Sequence, residues 1–237
     1  MWFVDKIHTS MIDYPGQPSL LVYTLGCNLK CVFCHNKTLI DGSVEDRISI
    51  PDMVQKLTKR IKMFDHITIT GGEPCMHPEL IYVCQSLKGM GYKIKLDTNG
   101  LYPNILSTLV NSQLVDYVAM DIKTTLNKYG QFTNSISQNL ELFEKLRTSI
   151  DILRKSVIQH EYRTTATKDT CTEDDFINIA QYLFLMYQYP ECVTKPIWYL
   201  NETTPIKDEV LVLYTKSELE EIQSSLVTEY ALDIRLR

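Results

Sequence analysis

No apolar run in the sequence approaches the roughly 20 residues that a membrane-spanning helix needs, so no membrane partner is expected. The first residues, MWFVDKIH, lack a basic stretch followed by an apolar one, and no secretory signal is expected either. Positive charge is not in excess: 24 Lys and Arg against 29 Asp and Glu leave a net charge of -5, which argues against nucleic acid as a partner. No internal repeat, low-complexity tract or Pro/Gly/Ser-rich linker divides the 237 residues. The length therefore favours a single domain, with the stretch beyond about residue 201 as its C-terminal extension. A chain of this size buries most of its apolar surface on folding and needs no disulfides for stability.

What the sequence does have is seven cysteines, an odd number, with three of them, Cys27, Cys31 and Cys34, inside eight residues. Clustered thiols in a chain without a secretory signal read as a metal site in a reducing compartment, and the cytoplasm is the expected location. Soft thiolates at this spacing bind zinc or iron–sulfur clusters. A zinc site would take His35 or a distant cysteine as its fourth ligand. Zinc usually draws on two CxxC-type pairs, and Cys75, Cys84, Cys171 and Cys192 are too scattered to supply the second. His35 directly follows Cys34, so both reaching one ion would be awkward. Three thiolates on four irons would instead leave one iron without a protein ligand, the open position that a catalytic cluster requires.

Short apolar runs alternate with amphipathic stretches along the chain, the pattern of βα units around a parallel sheet. Strands are predicted at 19–24, 66–70, 93–96, 115–120, 162–166 and 197–200. Helices are predicted at 49–63, from Pro78 to near Gly89, at 105–110, 140–153, 172–187 and 216–226, followed by a short strand near Arg237. The fold class is α/β, as a partial, open (β/α)6 barrel, with a doubly wound sheet as the other topology the pattern permits. Either places chemistry where the strands end. Polar segments stand at those places: Gly71-Gly72-Glu73-Pro74, Asp97-Thr98-Asn99-Gly100, Asp121-Ile122-Lys123, and Arg163 inside Tyr162-Arg163-Thr164-Thr165. Taken singly, Gly-Gly and Asn-Gly are turns, and Asp-x-Lys is a solvated ion pair. Glycines also let a ligand approach the backbone closely. Arg163 lies in an apolar segment, where a charge calls for a partner; a cofactor carboxylate is one candidate.

Cysteines spaced CxxxCxxC, with an aromatic residue before the last, resemble the radical S-adenosylmethionine superfamily. The resemblance implies a four-iron four-sulfur cluster on Cys27, Cys31 and Cys34 that chelates the methionyl end of S-adenosylmethionine, with Phe33 near the adenine. It implies that Gly72 and Glu73 contact the methionyl amine and that Lys123 and Arg163 contact the carboxylate or ribose. Gly71, Asn99 and His35 are counted with them as cofactor-binding residues. Asp97, Thr98 and Asp121 are further implied to enclose a monovalent cation. Within the superfamily, Asp13-Tyr14-Pro15-Gly16, Gly26-Cys27-Asn28, Cys34-His35-Asn36 and the segments above look like the glycyl-radical-enzyme activases. The first of these segments and Tyr162-Arg163-Thr164-Thr165 look most like the activating protein of anaerobic ribonucleoside-triphosphate reductase. The similarity runs from about Ile12 to Ala166. It implies that an electron from flavodoxin or ferredoxin cleaves the cofactor to a 5′-deoxyadenosyl radical, which takes a hydrogen from a glycine of that partner enzyme.

Two other readings stay open. A 7-carboxy-7-deazaguanine synthase-like enzyme would share the GCNLKC and GGEP segments and act on a small molecule; it ranks lower because Asp13-Tyr14-Pro15-Gly16 stands where that family has a different motif. A non-enzymatic cluster or zinc carrier is the third. Cys75 and Cys84 read as packed small residues, and His77 and His160 as surface or supporting residues rather than ligands.

Overall fold

The computed structural model describes residues 1–133, 139–206 and 209–237. These fall into two compact units: Met1–Leu29 with Asn36–Ala119, and Lys30–His35 with Met120–Arg237.

The first unit holds β1 (Phe3–Val4), β2 (His8–Tyr14), β3 (Gln17–Thr24), α1 (Lys37–Ile40), β4 (Arg47–Ile48), α2 (Ile50–Thr58), β5 (His66–Gly71), α3 (Leu80–Gly89), β6 (Lys93–Thr98) and α4 (Pro103–Asn111). β3, β5 and β6 are parallel neighbours, so their C-terminal ends share one edge. β2 returns onto β3 as an antiparallel hairpin, and β1 joins β3 to β4. Alternation along the parallel strands gives the sheet two unlike faces. Leu20, Val22, Ile67, Ile69, Ile94 and Leu96 are all buried on one of them, each contributing about 1.5–3 kcal/mol by leaving water. The opposite face carries Ser19, Thr68, Lys95 and Asp97, buried as well and polar.

Helix α2 begins where the sequence signals it. Ser49 caps α2 by accepting from Asp52 N–H, with Pro51 in the first turn. The predicted run to Met63 stops at Thr58, because the apolar period has no further face to bury: Met63 is 76% exposed. Pro15 and Gly16 make the turn between β2 and β3.

The strand β7 (Tyr117–Asp121) gives its first three residues to the first unit and its last two to the second. The second unit continues with α5 (Asn139–Lys155), β8 (Gln159–Thr165), α6 (Glu173–Tyr187), β9 (Ile197–Asn201), α7 (Lys216–Tyr230) and β10 (Ile234–Leu236). β8, β9 and β10 are parallel neighbours. Helix α6 opens on a capping box in which Thr172 and Asp175 satisfy each other's main-chain N–H groups. Buried Leu142, Leu146, Ile150 and Leu153 form the stripe of α5, at the spacing that keeps one helix face on the core. Among the described residues, no helix is long and apolar enough to cross a membrane.

Between β8 and α6 runs a buried polar chain. His160 Nε2 lies 2.6 Å from the Tyr187 hydroxyl, which is 2.8 Å from the Tyr162 hydroxyl, while His160 Nδ1 sits 3.1 Å from the Ile158 carbonyl oxygen. Burial pushes the His160 pKa down to about 4. The unfolded chain takes up a proton near pH 6.5 that the folded chain refuses until near pH 4, so stability is level above about 6.5 and falls between these values, by about 3 kcal/mol from this group. In urea unfolding from pH 7 to pH 4.5, a His160→Gln variant is expected to show a shallower loss of stability than the natural chain. Equal slopes would contradict the assignment.

Candidate functional site

In the first unit, the edge where β3, β5 and β6 end is closed by hydrogen bonds among the segments that follow them. Gly72 N–H donates to the Thr24 carbonyl at 2.9 Å, and Glu73 N–H to the Gly26 carbonyl at 2.8 Å. A β-carbon at Gly72 would fall 1.9 Å from the Gly26 oxygen, and one at Gly71 would fall 2.4 Å from the Thr24 nitrogen. What approaches this glycine pair so closely is the chain's own backbone, leading into the Cys27 loop.

Glu73 is buried, 1% exposed, and its carboxylate is a hub. Oε1 accepts from the Thr98 hydroxyl at 2.7 Å and from Cys75 N–H at 2.9 Å, and Oε2 accepts from Asn99 N–H at 2.6 Å. The resemblance assigns Glu73 to a ligand ammonium; here the carboxylate braces the segment after β5 against the end of β6. Asn99 extends the brace, its amide donating to the Asn28 side-chain oxygen at 2.8 Å, next to Cys27. Leu29 N–H points at Cys27 Sγ, 3.4 Å away. His77 touches the same loop through Nε2, 2.7 Å from the Leu25 carbonyl oxygen. Thus Cys27, Gly71, Gly72, Glu73, Asp97, Thr98 and Asn99 are gathered on one edge, with Asn28 as a member that sequence reasoning missed.

In the second unit, Cys31 and Phe33 are buried, and Cys34 is partly exposed. Asp121, at the end of β7, accepts from Lys123 Nζ at 3.0 Å on one oxygen and from Arg163 Nε at 2.8 Å on the other. Burial pushes the Asp121 pKa up, but Arg163 and Lys123 outweigh it and hold the carboxyl below its usual range. Burial likewise opposes the charge on Lys123, and the Asp121 carboxylate overrides it, raising the lysine. Two cations share one carboxylate, so the triad keeps a net positive charge, suited to an anionic group of a ligand. The partner that Arg163 required is this aspartate. Lys123 Nζ also stands 5.5 Å over the Phe33 ring, which packs edge-on against Phe132. Tyr129, another residue the sequence did not single out, accepts from Lys123 N–H at 2.8 Å. Burial pushes the Cys31 thiol up to about 11, against the pull of Lys123; a metal would have to displace its proton. His35 stands apart from the triad, exposed, with Nε2 3.3 Å from the Thr203 hydroxyl.

Cys75 and Cys84, read as packed small residues, are buried, as is Cys171, while Cys192 is partly exposed; none of the seven is in a disulfide. Among the described residues, no three His, Cys, Asp or Glu side chains gather to hold a single metal ion.

The model of the radical SAM superfamily matches residues 21–161. A putative glycyl-radical enzyme activating enzyme of Methanocaldococcus jannaschii is 32% identical over 181 residues, 74% of this chain and 72% of the relative. A 7-carboxy-7-deazaguanine synthase of Halobacterium salinarum is 33% identical over 85 residues, 36% of this chain and 33% of that enzyme, and one of Haemophilus influenzae is 25% identical over 194 residues, 80% of this chain and 83% of that enzyme. A radical SAM methyltransferase from Sphaerobacter thermophilus superposes with a TM-score of 0.67 at 14% identity, covering 94% of this chain and 67% of that one. The chain belongs to the radical SAM superfamily and has its α/β fold, with parallel neighbouring strands and helices in each unit. It is a radical SAM enzyme, and membership implies a four-iron four-sulfur cluster and S-adenosylmethionine. The donor set suits such a cluster: three unbridged thiols at CxxxCxxC spacing, with a lysine ammonium drawing on one of them.

The Glu73 brace has a direct test. A glutamine there keeps one acceptor oxygen and leaves a buried main-chain donor unsatisfied, at a cost of about 1–3 kcal/mol. Glu73→Gln is expected to lower the melting temperature by roughly 5 °C in thermal unfolding of the metal-free chain. An unchanged melting temperature would show that the carboxylate braces nothing.

Proposed function

We propose that this radical SAM enzyme generates a glycyl radical on a partner enzyme, the anaerobic ribonucleoside-triphosphate reductase. The observation that carries the reading is 32% identity along 72% of a relative named as a putative glycyl-radical enzyme activating enzyme, against 25% identity along 83% of the Haemophilus influenzae deazaguanine synthase. The segments Asp13-Tyr14-Pro15-Gly16 and Tyr162-Arg163-Thr164-Thr165 support the choice of partner.

Cys27, Cys31 and Cys34 would hold the cluster, and flavodoxin or ferredoxin would reduce it. When bound, the cluster and S-adenosylmethionine supply a carbon-centred radical able to take hydrogen from an unactivated C–H bond. The chain's own residues bind, orient and exclude water. Gly72 and Glu73 fix the rim that receives the methionyl amine, Phe33 offers an apolar ring to the adenine, and Lys123 with Arg163 offers positive charge to the carboxylate. Seven cysteines without a disulfide support a reducing compartment, the cytoplasm, as the place of action.

The reconstituted protein, mixed anaerobically with S-adenosylmethionine, a reductant and the anaerobic reductase of the same genome, is expected to give the doublet electron paramagnetic resonance signal of a glycyl radical. Efficient turnover of a small pterin, with no radical on the reductase, would overturn this reading in favour of a 7-carboxy-7-deazaguanine synthase-like enzyme.

A further inference from the structure

A lysine with 1% of its surface exposed sits in the middle of β6. Lysine is almost never buried to this extent without a partner. The register sets Lys95 beside Thr68 and, beyond it, Leu21, on the polar face of the first unit's sheet. Its ammonium donates to the main-chain carbonyl of Asp13 at 2.5 Å, lies 3.7 Å from Asp97 Oδ1, and stands 5.6 Å over the Tyr117 ring.

The hairpin corner at Asp13 has other supports. Ser10 Oγ accepts from Ile12 N–H at 3.2 Å and from Asp13 N–H at 3.1 Å, and Tyr14 packs edge-on against His66 at 4.6 Å. An apolar side chain could fill the place of Lys95, and replacing a buried ion pair by packed neutral groups is often neutral or stabilising. The charge therefore has work beyond stability. It places a positive charge 3.7 Å from Asp97 Oδ1, directly before Thr98 and Asn99, two of the three residues that donate to Glu73. The second unit uses the same device, Lys123 and Arg163 fixing Asp121. Both carboxylates at which a free monovalent ion was expected are thus matched by side-chain cations.

We propose that Lys95 is a positioning residue of the cofactor site, a resident cation that fixes the Asp97 carboxylate at the end of β6, so that cofactor binding needs no monovalent metal ion. The inference rests on the reading of this edge as the S-adenosylmethionine site and is independent of the partner. The test uses the natural chain, Lys95→Met, Asp97→Asn and the double variant, each reconstituted anaerobically. Iron content, melting temperature and S-adenosylmethionine affinity by equilibrium dialysis are measured in potassium, sodium and choline chloride at equal ionic strength.

The natural chain is expected to bind the cofactor equally in all three salts. Lys95→Met should retain iron, melt lower and lose about tenfold in affinity, because one buried charge is left without its partner. The double variant, with no charge left to compensate, should recover the melting temperature and not the affinity. Recovery of both would make the pair purely structural and overturn the proposal, as would unchanged affinity in Lys95→Met. An affinity of the natural chain that rises about tenfold with potassium over choline would show a free ion in the role given to Lys95. If Lys95→Met does not fold, the double variant still decides. No partner protein enters the assay, so a missing glycyl radical and a failed cofactor effect are separate results.

Discussion

The Glu73 carboxylate is the constraint on which the functional edge of the first unit depends. An ionised carboxylate taken out of water is tolerated only when hydrogen-bond donors replace the water. Glu73 has a hydroxyl and two main-chain N–H groups, supplied by Thr98, Cys75 and Asn99. Satisfying it forces the segment after β5 against the end of β6, and the Asn99–Asn28 amide contact passes the restraint on to the residue beside Cys27. The glycine pair before Glu73 follows from the same demand: only without β-carbons can this backbone come within hydrogen-bonding reach of Thr24 and Gly26.

Charge placement follows one rule in both units. The aspartates at the ends of β6 and β7 are each met by a cation from the same or a neighbouring strand or the residues just after: Asp97 by Lys95, and Asp121 by Lys123 and Arg163. Such pairs add little net stability, because desolvation offsets attraction. They do fix where charge stands before a ligand arrives, so less of the binding energy is lost in ordering the site.

Much of this was legible in the sequence. The strands near 66–71, 93–98 and 197–201 are apolar or alternating runs bounded by turn residues, and they stand within two residues of their expected ends. β2 was not legible: Met11 and Ile12 are exposed, and an irregularity in register between Ser10 and Tyr14 erases the two-residue alternation. Asp13-Tyr14-Pro15-Gly16 could be read as a signature but not as the corner of a hairpin held by Lys95. The role of Lys95 was visible only as charges at alternate positions in Lys93-Ile94-Lys95-Leu96-Asp97, a pattern that ordinarily marks a solvated face. The donors to Glu73 lie 25 and 26 residues along the chain for the two on β6 and its end, a distance no local pattern encodes.

Under the proposed function, transfer of a hydrogen from a glycine of another protein to the radical is the decisive step. Its most direct measurement follows the atom: the partner reductase is prepared with deuterium at the Cα of its target glycine and activated anaerobically. The account predicts deuterium in the 5′-deoxyadenosine formed during a single turnover. Product free of deuterium, released while the glycyl radical accumulates, would contradict it.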